Sequence, residues 1–408
     1  MFVWGALAGE RVLAKRTRRT RDFDQAVTLE VLRASPDRVE PRCPHFGGCG
    51  GCVLQHLDAG KQIEAKQATL LGLLRDAGGL VPESVLPPLV DAAWGYRRKG
   101  RLSVRWVAKK GKTLVGFREP DPRFVADLSE CHTVIPAIGG RIGVLAELVD
   151  GLQARAVIPQ IEFIAGDDAV ALVIRHLEPL GEGDREALVA FAREHGFAVF
   201  LQPGGLDTVH PLWPAEPPRL ALRLEPWDVE LGFQPMDFIQ VNAGLNAKMI
   251  GLALQLLDAG ADDRVLDLFC GLGNFTLPLA RVVREVVGVE GEAGLVARAR
   301  ENAERNGLGN AQFHAADLTL DQREAPWMGQ GFDKLLLDPP RSGALQVLRQ
   351  LPLGQFQRIV YVSCNPASLA RDAEYLVNER GWKLHRTGVM DMFPHTAHVE
   401  SIALFEPG

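Results

Sequence analysis

Two positions in this chain are best suited to covalent chemistry. Cys364 stands in Val362-Ser363-Cys364-Asn365-Pro366, and Glu400 ends the run Asp391-Met392-Phe393-Pro394-His395-Thr396-Ala397-His398-Val399-Glu400. The apolar run Ile359-Val360-Tyr361 reads as a buried parallel strand, which Pro366 closes before a helical pattern begins. Cys364 is therefore expected at the carboxyl end of a strand, where open α/β sheets hold their ligands. An isolated cysteine after such a strand is most often a small buried hydrophobe, so its neighbours decide its meaning. Glu400, flanked by apolar Val399 and Ile402 before a last strand at Ser401 to Phe405, suits either of two roles: a desolvated base working near neutrality, or a structural carboxylate capping the loop.

The neighbours form a βαβ pattern that begins near Met236. Arg264 to Phe269 reads as a strand, Cys270-Gly271-Leu272-Gly273-Asn274 as a glycine turn and Phe275 to Val283 as a helix; Val286-Val287-Gly288-Val289-Glu290 is then a second strand ending in an acid. A glycine turn after one strand and an acid at the tip of the next is how doubly wound sheets seat an adenosine ribose. Thr276 occupies the place of the third glycine of a dinucleotide fingerprint, so a mononucleoside such as S-adenosylmethionine fits better than a pyrophosphate. A third strand leads to Asp317, a fourth (Lys334 to Asp338) runs into Pro339-Pro340, whose fixed φ stiffens the tip, and a fifth delivers Cys364.

In adenine-amino methyltransferases such a proline loop ends in an aromatic residue that stacks the target base. Here Arg341 follows and a thiol is at hand. That combination fits a pyrimidine attacked at C6. C5 of uracil is too weak a nucleophile to take a methyl cation unaided, but a thiolate added at C6 makes it an enolate, and a base must then remove the C5 proton.

A second cluster of reactive residues lies near the start, in Cys43-Pro44-His45-Phe46-Gly47-Gly48-Cys49-Gly50-Gly51-Cys52. Its glycines let the backbone wrap a metal centre closely, and Cys131 is the best remaining candidate for a fourth ligand. Three clustered cysteines and one distant one suit a cubane iron-sulfur cluster better than zinc, which usually arrives as paired CxxC knuckles; zinc with His45 or His132 stays open.

The elements that must position these groups belong to a long soluble chain. Its 408 residues exceed what one core serves, its 47% apolar and 24% charged content is ordinary, and it has no apolar run long enough for a membrane span. A cytoplasmic location is expected, since six cysteines are too few for a disulfide scaffold. A net charge of −6 argues against non-specific coating of nucleic acid. Locally, however, Lys15 to Arg21 holds five cations in seven residues, and Arg97 to Lys112 holds eight in sixteen around Trp106. Such clusters steer a polyanion to one face or simply solvate a surface. Residues 1 to 40 read as short strands, Lys61 to Leu80 as an amphipathic helix with Ile63, Gln67, Leu70 and Leu74 on one face, and residues 87 to 235 as α+β with a hairpin near Lys110-Gly111 and a helix from Gly183 to His195.

Five motifs carry a resemblance that covers nearly the whole chain: Cys43-x5-Cys49-x2-Cys52, Asp267 to Phe275, Asp338-Pro339-Pro340-Arg341, Ser363-Cys364-Asn365-Pro366 and His398-Val399-Glu400-Ser401. Together they resemble the RNA uracil-C5 methyltransferases, and within them the iron-sulfur, TRAM-containing branch that acts on 23S ribosomal RNA at a uridine of the 1939 type. The resemblance implies a class I Rossmann-like α/β methyltransferase domain at 58–86 and 238–408, an α+β central iron-sulfur and RNA-binding domain at 41–57 and 87–237, and a partial TRAM (OB-like) β-domain at 1–40. It implies Cys364 as nucleophile and Glu400 as proton acceptor. It also implies S-adenosylmethionine contacts at Gln240, Phe269, Asn274, Glu290, Asp317 and Asp338, and a [4Fe-4S] cluster on Cys43, Cys49, Cys52 and Cys131.

The implied partner is 23S ribosomal RNA, with the enzyme working as a monomer. The family's TRAM domain has roughly 60 residues before the cluster and this chain starts about midway through it, which leaves room for the sister enzyme that lacks TRAM and methylates another 23S uridine. The transfer-RNA member of the group lacks the cysteine cluster. A non-catalytic iron-sulfur RNA-binding protein and an RNA cytosine-C5 methyltransferase are the rivals. The first has no need of Asp338, Cys364 and Glu400 together, and the second normally carries its nucleophile elsewhere.

Overall fold

The structure is a computed structural model that describes all 408 residues. The chain opens with a three-stranded sheet of order β1-β3-β2, formed by β1 (Phe2–Trp4), β2 (Arg11–Arg19) and β3 (Asp24–Arg33). The first basic cluster lies within and just after β2. Of its cations only Arg16 reaches an acid, Asp24, at 3.4 Å, so one face of the sheet presents unpaired positive charge to solvent. Helix α1 (Ala59–Asp76) follows the cysteine-rich segment. It starts two residues before the expected Lys61 because Asp58 caps it, accepting from the amides of Gly60 and Lys61, and it stops short of Leu80 because Gly78 and Gly79 take φ of +102° and +72°.

After the two-residue strand β4 (Ser84–Val85) comes a six-stranded sheet of order β10-β9-β8-β7-β5-β6. It is built from β5 (Lys99–Val107), β6 (Lys112–Gly116), β7 (Gln160–Ala165), β8 (Val170–Arg175), β9 (Phe197–Gln202) and β10 (His210–Trp213), with helices α2 (Pro136–Gly139), α3 (Ile142–Gly151) and α4 (Glu182–His195) packed on it. The expected hairpin at Lys110-Gly111 is the β5–β6 turn. Three of its eight cations pair with acids, Arg98 with Asp167, Arg101 with Glu162 and Lys112 with Asp127, while the Arg155 guanidinium lies over Trp106 at 4.6 Å.

A small hairpin of β11 (Leu220–Leu224) and β12 (Val229–Phe233) leads to α5 (Ala243–Leu257) and to the largest sheet. That sheet contains β13 (Arg264–Leu268), β14 (Glu285–Glu290), β15 (Ala311–Ala315), β16 (Lys334–Leu337), β17 (Arg358–Ser363), β18 (Trp382–Met390) and β19 (Glu400–Pro407), joined by α6 (Thr276–Ala280), α7 (Ala293–Arg305), α8 (Leu345–Leu348) and α9 (Pro366–Glu374). Its order is β15-β14-β13-β16-β17-β19-β18-β4. β13 to β17 run parallel and β19 runs antiparallel to both β17 and β18. Alternate residues face opposite cores: Ile359 and Tyr361 join one cluster, Val360 and Val362 the other. Burial on both faces is why these strands read as unbroken apolar runs.

Although it comes from the first fifth of the chain, α1 packs on this sheet beside α9, with Leu70 and Leu74 fully buried; each such leucine contributes about 2 kcal/mol. No helix is long and apolar enough to cross a membrane.

Candidate active site

The chain leaves β13 toward β14 and β15 on one side and returns to β16 and β17 on the other, so the strand order reverses between β13 and β16. Such a switch opens a crevice at the carboxyl ends of the strands. A cavity of about 650 Å3 lies there, and Gln240, Phe269, Asn274, Glu290, Asp317, Asp338, Cys364 and Glu400 all line it.

Register explains the last two. Ser363 of β17 pairs with Ser401 of antiparallel β19, so one step past each brings Cys364 opposite Glu400 at the rim. Asn365 then caps α9, its side chain accepting from the Ala367 amide and donating to the Arg341 carbonyl at 2.9 Å. The loop after β16 is thereby tied to the cysteine turn. A second tie lies deeper: the Ala344 amide and the Tyr361 hydroxyl both donate to Asp372, at 2.6 and 2.7 Å, in a fully enclosed pocket.

The glycine turn after β13 is equally constrained. Phe269 holds φ of +66°, a left-handed conformation that costs a non-glycine residue about 1–2 kcal/mol, and its amide donates to the Val289 carbonyl at 2.8 Å. The Gly271 amide donates to Glu290 at 3.1 Å and the Glu292 amide to its other oxygen at 3.0 Å, which fixes the carboxylate at the tip of β14. Asn274 and Asn246 exchange side-chain amide bonds of 2.8 and 2.9 Å. Asp317 accepts from the Thr319 amide and hydroxyl, which hold it below the usual carboxylate range.

Burial dominates the electrostatics. It pushes the Asp338 carboxyl up to about 7; burial and then the Asp338 charge push Glu400 up to about 8, against the opposing pull of Arg341 and Lys66. Burial, then Glu400 and Asp338, raise the Cys364 thiol to about 11, and Arg341 opposes them. Both groups therefore favour their protonated forms more than they would in water, and positive charge nearby favours the ionised ones. Asp267, beneath the turn, rises to about 7 for the same reason, although the Thr276 hydroxyl donates to it at 2.5 Å. A thiol facing a carboxylate across the mouth of an enclosed pocket can add to an electron-poor carbon and then remove a proton next to it.

Several side chains at the cavity had no assigned role in the sequence. Phe238 is 68% exposed on the rim, His398 accepts through Nδ1 from Arg341 at 3.1 Å, and Phe393 lies beside His398. Phe393 and His398 fall inside the quoted run from Asp391 to Glu400, where their aromatic or polar character beside Glu400 was the available signal.

The four clustered cysteines line a separate cavity of about 140 Å3 with His45, His132 and Tyr96. Burial raises Cys43, takes Cys49 to about 11 and takes Cys52 to about 12. No group of three or more His, Cys, Asp or Glu side chains is gathered as the ligands of a single ion would be.

The tRNA (Uracil-5-)-methyltransferase family profile matches residues 222–407. The chain is 71% identical over 405 residues to the 23S rRNA (uracil(1939)-C(5))-methyltransferase RlmD of Xanthomonas euvesicatoria, with 99% of this chain and 91% of the relative covered. Its identity to the proteins of the same name from Stenotrophomonas maltophilia and Xylella fastidiosa is 68% and 66%, with the same coverage. Among solved structures, the Pyrococcus abyssi tRNA (uracil-54, C5)-methyltransferase in complex with S-adenosyl-L-homocysteine superposes with a TM-score of 0.75 over 99% of this chain and 95% of that one, at 24% identity. Its fold is therefore shared from end to end.

Proposed function

The chain belongs to the family of RNA uracil-C5 methyltransferases, and from that premise we propose that it methylates C5 of uridine 1939 in 23S ribosomal RNA with S-adenosylmethionine as donor. One observation carries the mechanism: the β17–β19 register that sets Cys364 against Glu400 at the mouth of the cavity.

Bound S-adenosylmethionine supplies the methyl group as an electrophile on a sulfonium. Gln240, Phe269, Asn274, Glu290, Asp317 and Asp338, which share that cavity, hold it. Cys364 loses its proton to solvent water, with the Arg341 guanidinium favouring the thiolate, and its sulfur adds to C6 of a uracil flipped out of its stack, so that C5 becomes the nucleophilic end of an enolate. Once C5 is methylated, Glu400 in its carboxylate form takes the C5 proton, the C5–C6 double bond re-forms and Cys364 leaves as thiolate.

Cys43, Cys49, Cys52 and Cys131 fit a [4Fe-4S] cluster. Four thiols line one small cavity, and three clustered cysteines with one distant one suit a cubane better than the paired knuckles usual for zinc. Methyl transfer moves no electrons, so the cluster is assigned an architectural role. The exposed cations of β2 support reading the first 40 residues as a TRAM-like β-segment that grips RNA. The six-stranded sheet with the cysteine segment forms the central domain, at 41–57 and 87–237, and residues 58–86 and 238–408 form the methyltransferase domain.

The test is incubation of a 23S ribosomal RNA fragment with S-adenosylmethionine, followed by nucleoside mass analysis and site mapping. 5-Methyluridine at position 1939 is expected. A product at another uridine removes the target, and 5-methylcytidine or no product removes the chemistry.

A further inference from the structure

The loop that carries Glu400 is held by residues far from it in the chain. Its start is anchored on α1, where the buried Lys66 ammonium donates to Asp391 at 2.6 Å and to the Phe393 carbonyl at 3.0 Å. One turn earlier on the same helix face is Gln62, only 2% exposed. Its side-chain oxygen accepts from the His395 amide at 3.0 Å, and its side-chain nitrogen donates to the carbonyls of Leu54 and Leu57 at 2.9 and 2.8 Å. Gln62 therefore joins three segments: α1, the Glu400 loop and the stretch just after Cys52.

His395 completes the joint. It takes φ of +66°, and its carbonyl accepts from the amides of both Val53 and Leu54, at 2.9 and 3.0 Å. Its ring stacks on Trp94 with centroids 4.0 Å apart, and the Arg42 guanidinium, beside Cys43, covers the same indole at 5.1 Å. A strained residue held by two amides, a glutamine and an aromatic plate is not free to drift, and Glu400 lies five residues further along the same loop. Gln62, Trp94 and His395 lie outside the lining of the cavity that Cys364 and Glu400 share.

We propose that Gln62 and His395 are positioning residues that lock the Glu400 loop to the cysteine-rich segment, so that the pose of the proton acceptor depends on that segment being folded. This inference rests on Glu400 being the base. Loss of the lock then slows removal of the C5 proton and spares the steps before it. The methylated adduct, with Cys364 still bonded to C6, should accumulate on ordinary uridine RNA, because the bond to sulfur breaks only when that proton leaves.

The variant Gln62→Met keeps the length of the side chain and removes its hydrogen bonds, and Trp94→Phe is the milder companion. Both are compared as full-length protein with wild type and Glu400→Gln. The readouts are turnover, the fraction of enzyme bound covalently to uridine RNA, affinity for S-adenosylhomocysteine and iron content. Gln62→Met is expected to lower turnover about tenfold and to raise the covalent fraction toward that of Glu400→Gln, with affinity and iron content within about twofold of wild type, and Trp94→Phe to do the same more weakly. Accumulation in Glu400→Gln without any in Gln62→Met and Trp94→Phe overturns the positioning role alone. No accumulation in Glu400→Gln overturns the base assignment and the lock with it. Should Gln62→Met lose iron or fail to fold, Trp94→Phe decides by the same covalent fraction.

Discussion

The two cysteine-lined cavities start from the same physics and diverge in what they ask for. In both, burial pushes thiols upward: Cys364 to about 11 in the large cavity, Cys49 and Cys52 to about 11 and 12 in the small one. A buried thiol becomes a useful thiolate only beside positive charge. The small cavity gathers four thiols, with Arg97 as its one arginine or lysine. In the large cavity Cys364 stands apart from other thiols in its electrostatics: the carboxylates of Glu400 and Asp338 raise it and the Arg341 guanidinium opposes them.

The contrast can be broken most severely at Cys364. Cys364→Ala should lower methyl transfer by at least about 10^4-fold while leaving donor affinity intact, read by tritium incorporation and calorimetry. A loss of only about tenfold would mean that the large cavity does not depend on its sulfur. Glu400→Gln should cost about 10^2- to 10^3-fold and leave a covalent RNA–protein band on denaturing gels. Cys49→Ser probes the other side: iron content should collapse and Tm fall by about 4 °C or more, with donor affinity held to within a few-fold.

Acidity sharpens the same comparison. Glu400 has its folded pKa raised from the usual 4.5 to about 8, so between those values the native state binds the extra proton and this group's contribution to stability declines as pH rises. Glu400→Gln should therefore raise Tm by about 2–4 °C at pH 9 and change it little at pH 4, as scanning calorimetry would report. The smallest effect is expected from Tyr361→Phe, which removes the hydroxyl from Asp372 yet leaves the Ala344 amide bonded there; about 1 kcal/mol of stability should be lost with turnover within about threefold.

Much of the large cavity was legible in sequence because its chemistry sits on strand tips. Apolar runs ending in Glu290, Asp338 and Cys364 announce parallel strands, and Gly271 and Gly273, both at positive φ, announce the turn between them. The β17–β19 register was not legible, because pairing of distant strands leaves no local mark. Neither was the buried polar face of α1. Periodicity marked Ile63, Leu70 and Leu74 for burial but passed over Gln62 and Lys66, whose partners in the Glu400 loop lie more than 300 residues away. The pairing of Arg98 with Asp167 and of Arg101 with Glu162 was hidden for the same reason, since the partners are 69 and 61 residues apart in sequence.

The insertion of α1 and β4 into the last sheet has a consequence for how the protein is made. β4 pairs with β18 at Thr387, so the sheet that binds the donor gains its final strand from residues translated some three hundred positions earlier. The nascent chain must keep the apolar stripe of α1 uncovered while the whole middle of the molecule is synthesised. Expression of the C-terminal half alone should yield a sheet with a bare flank and a marked tendency to aggregate.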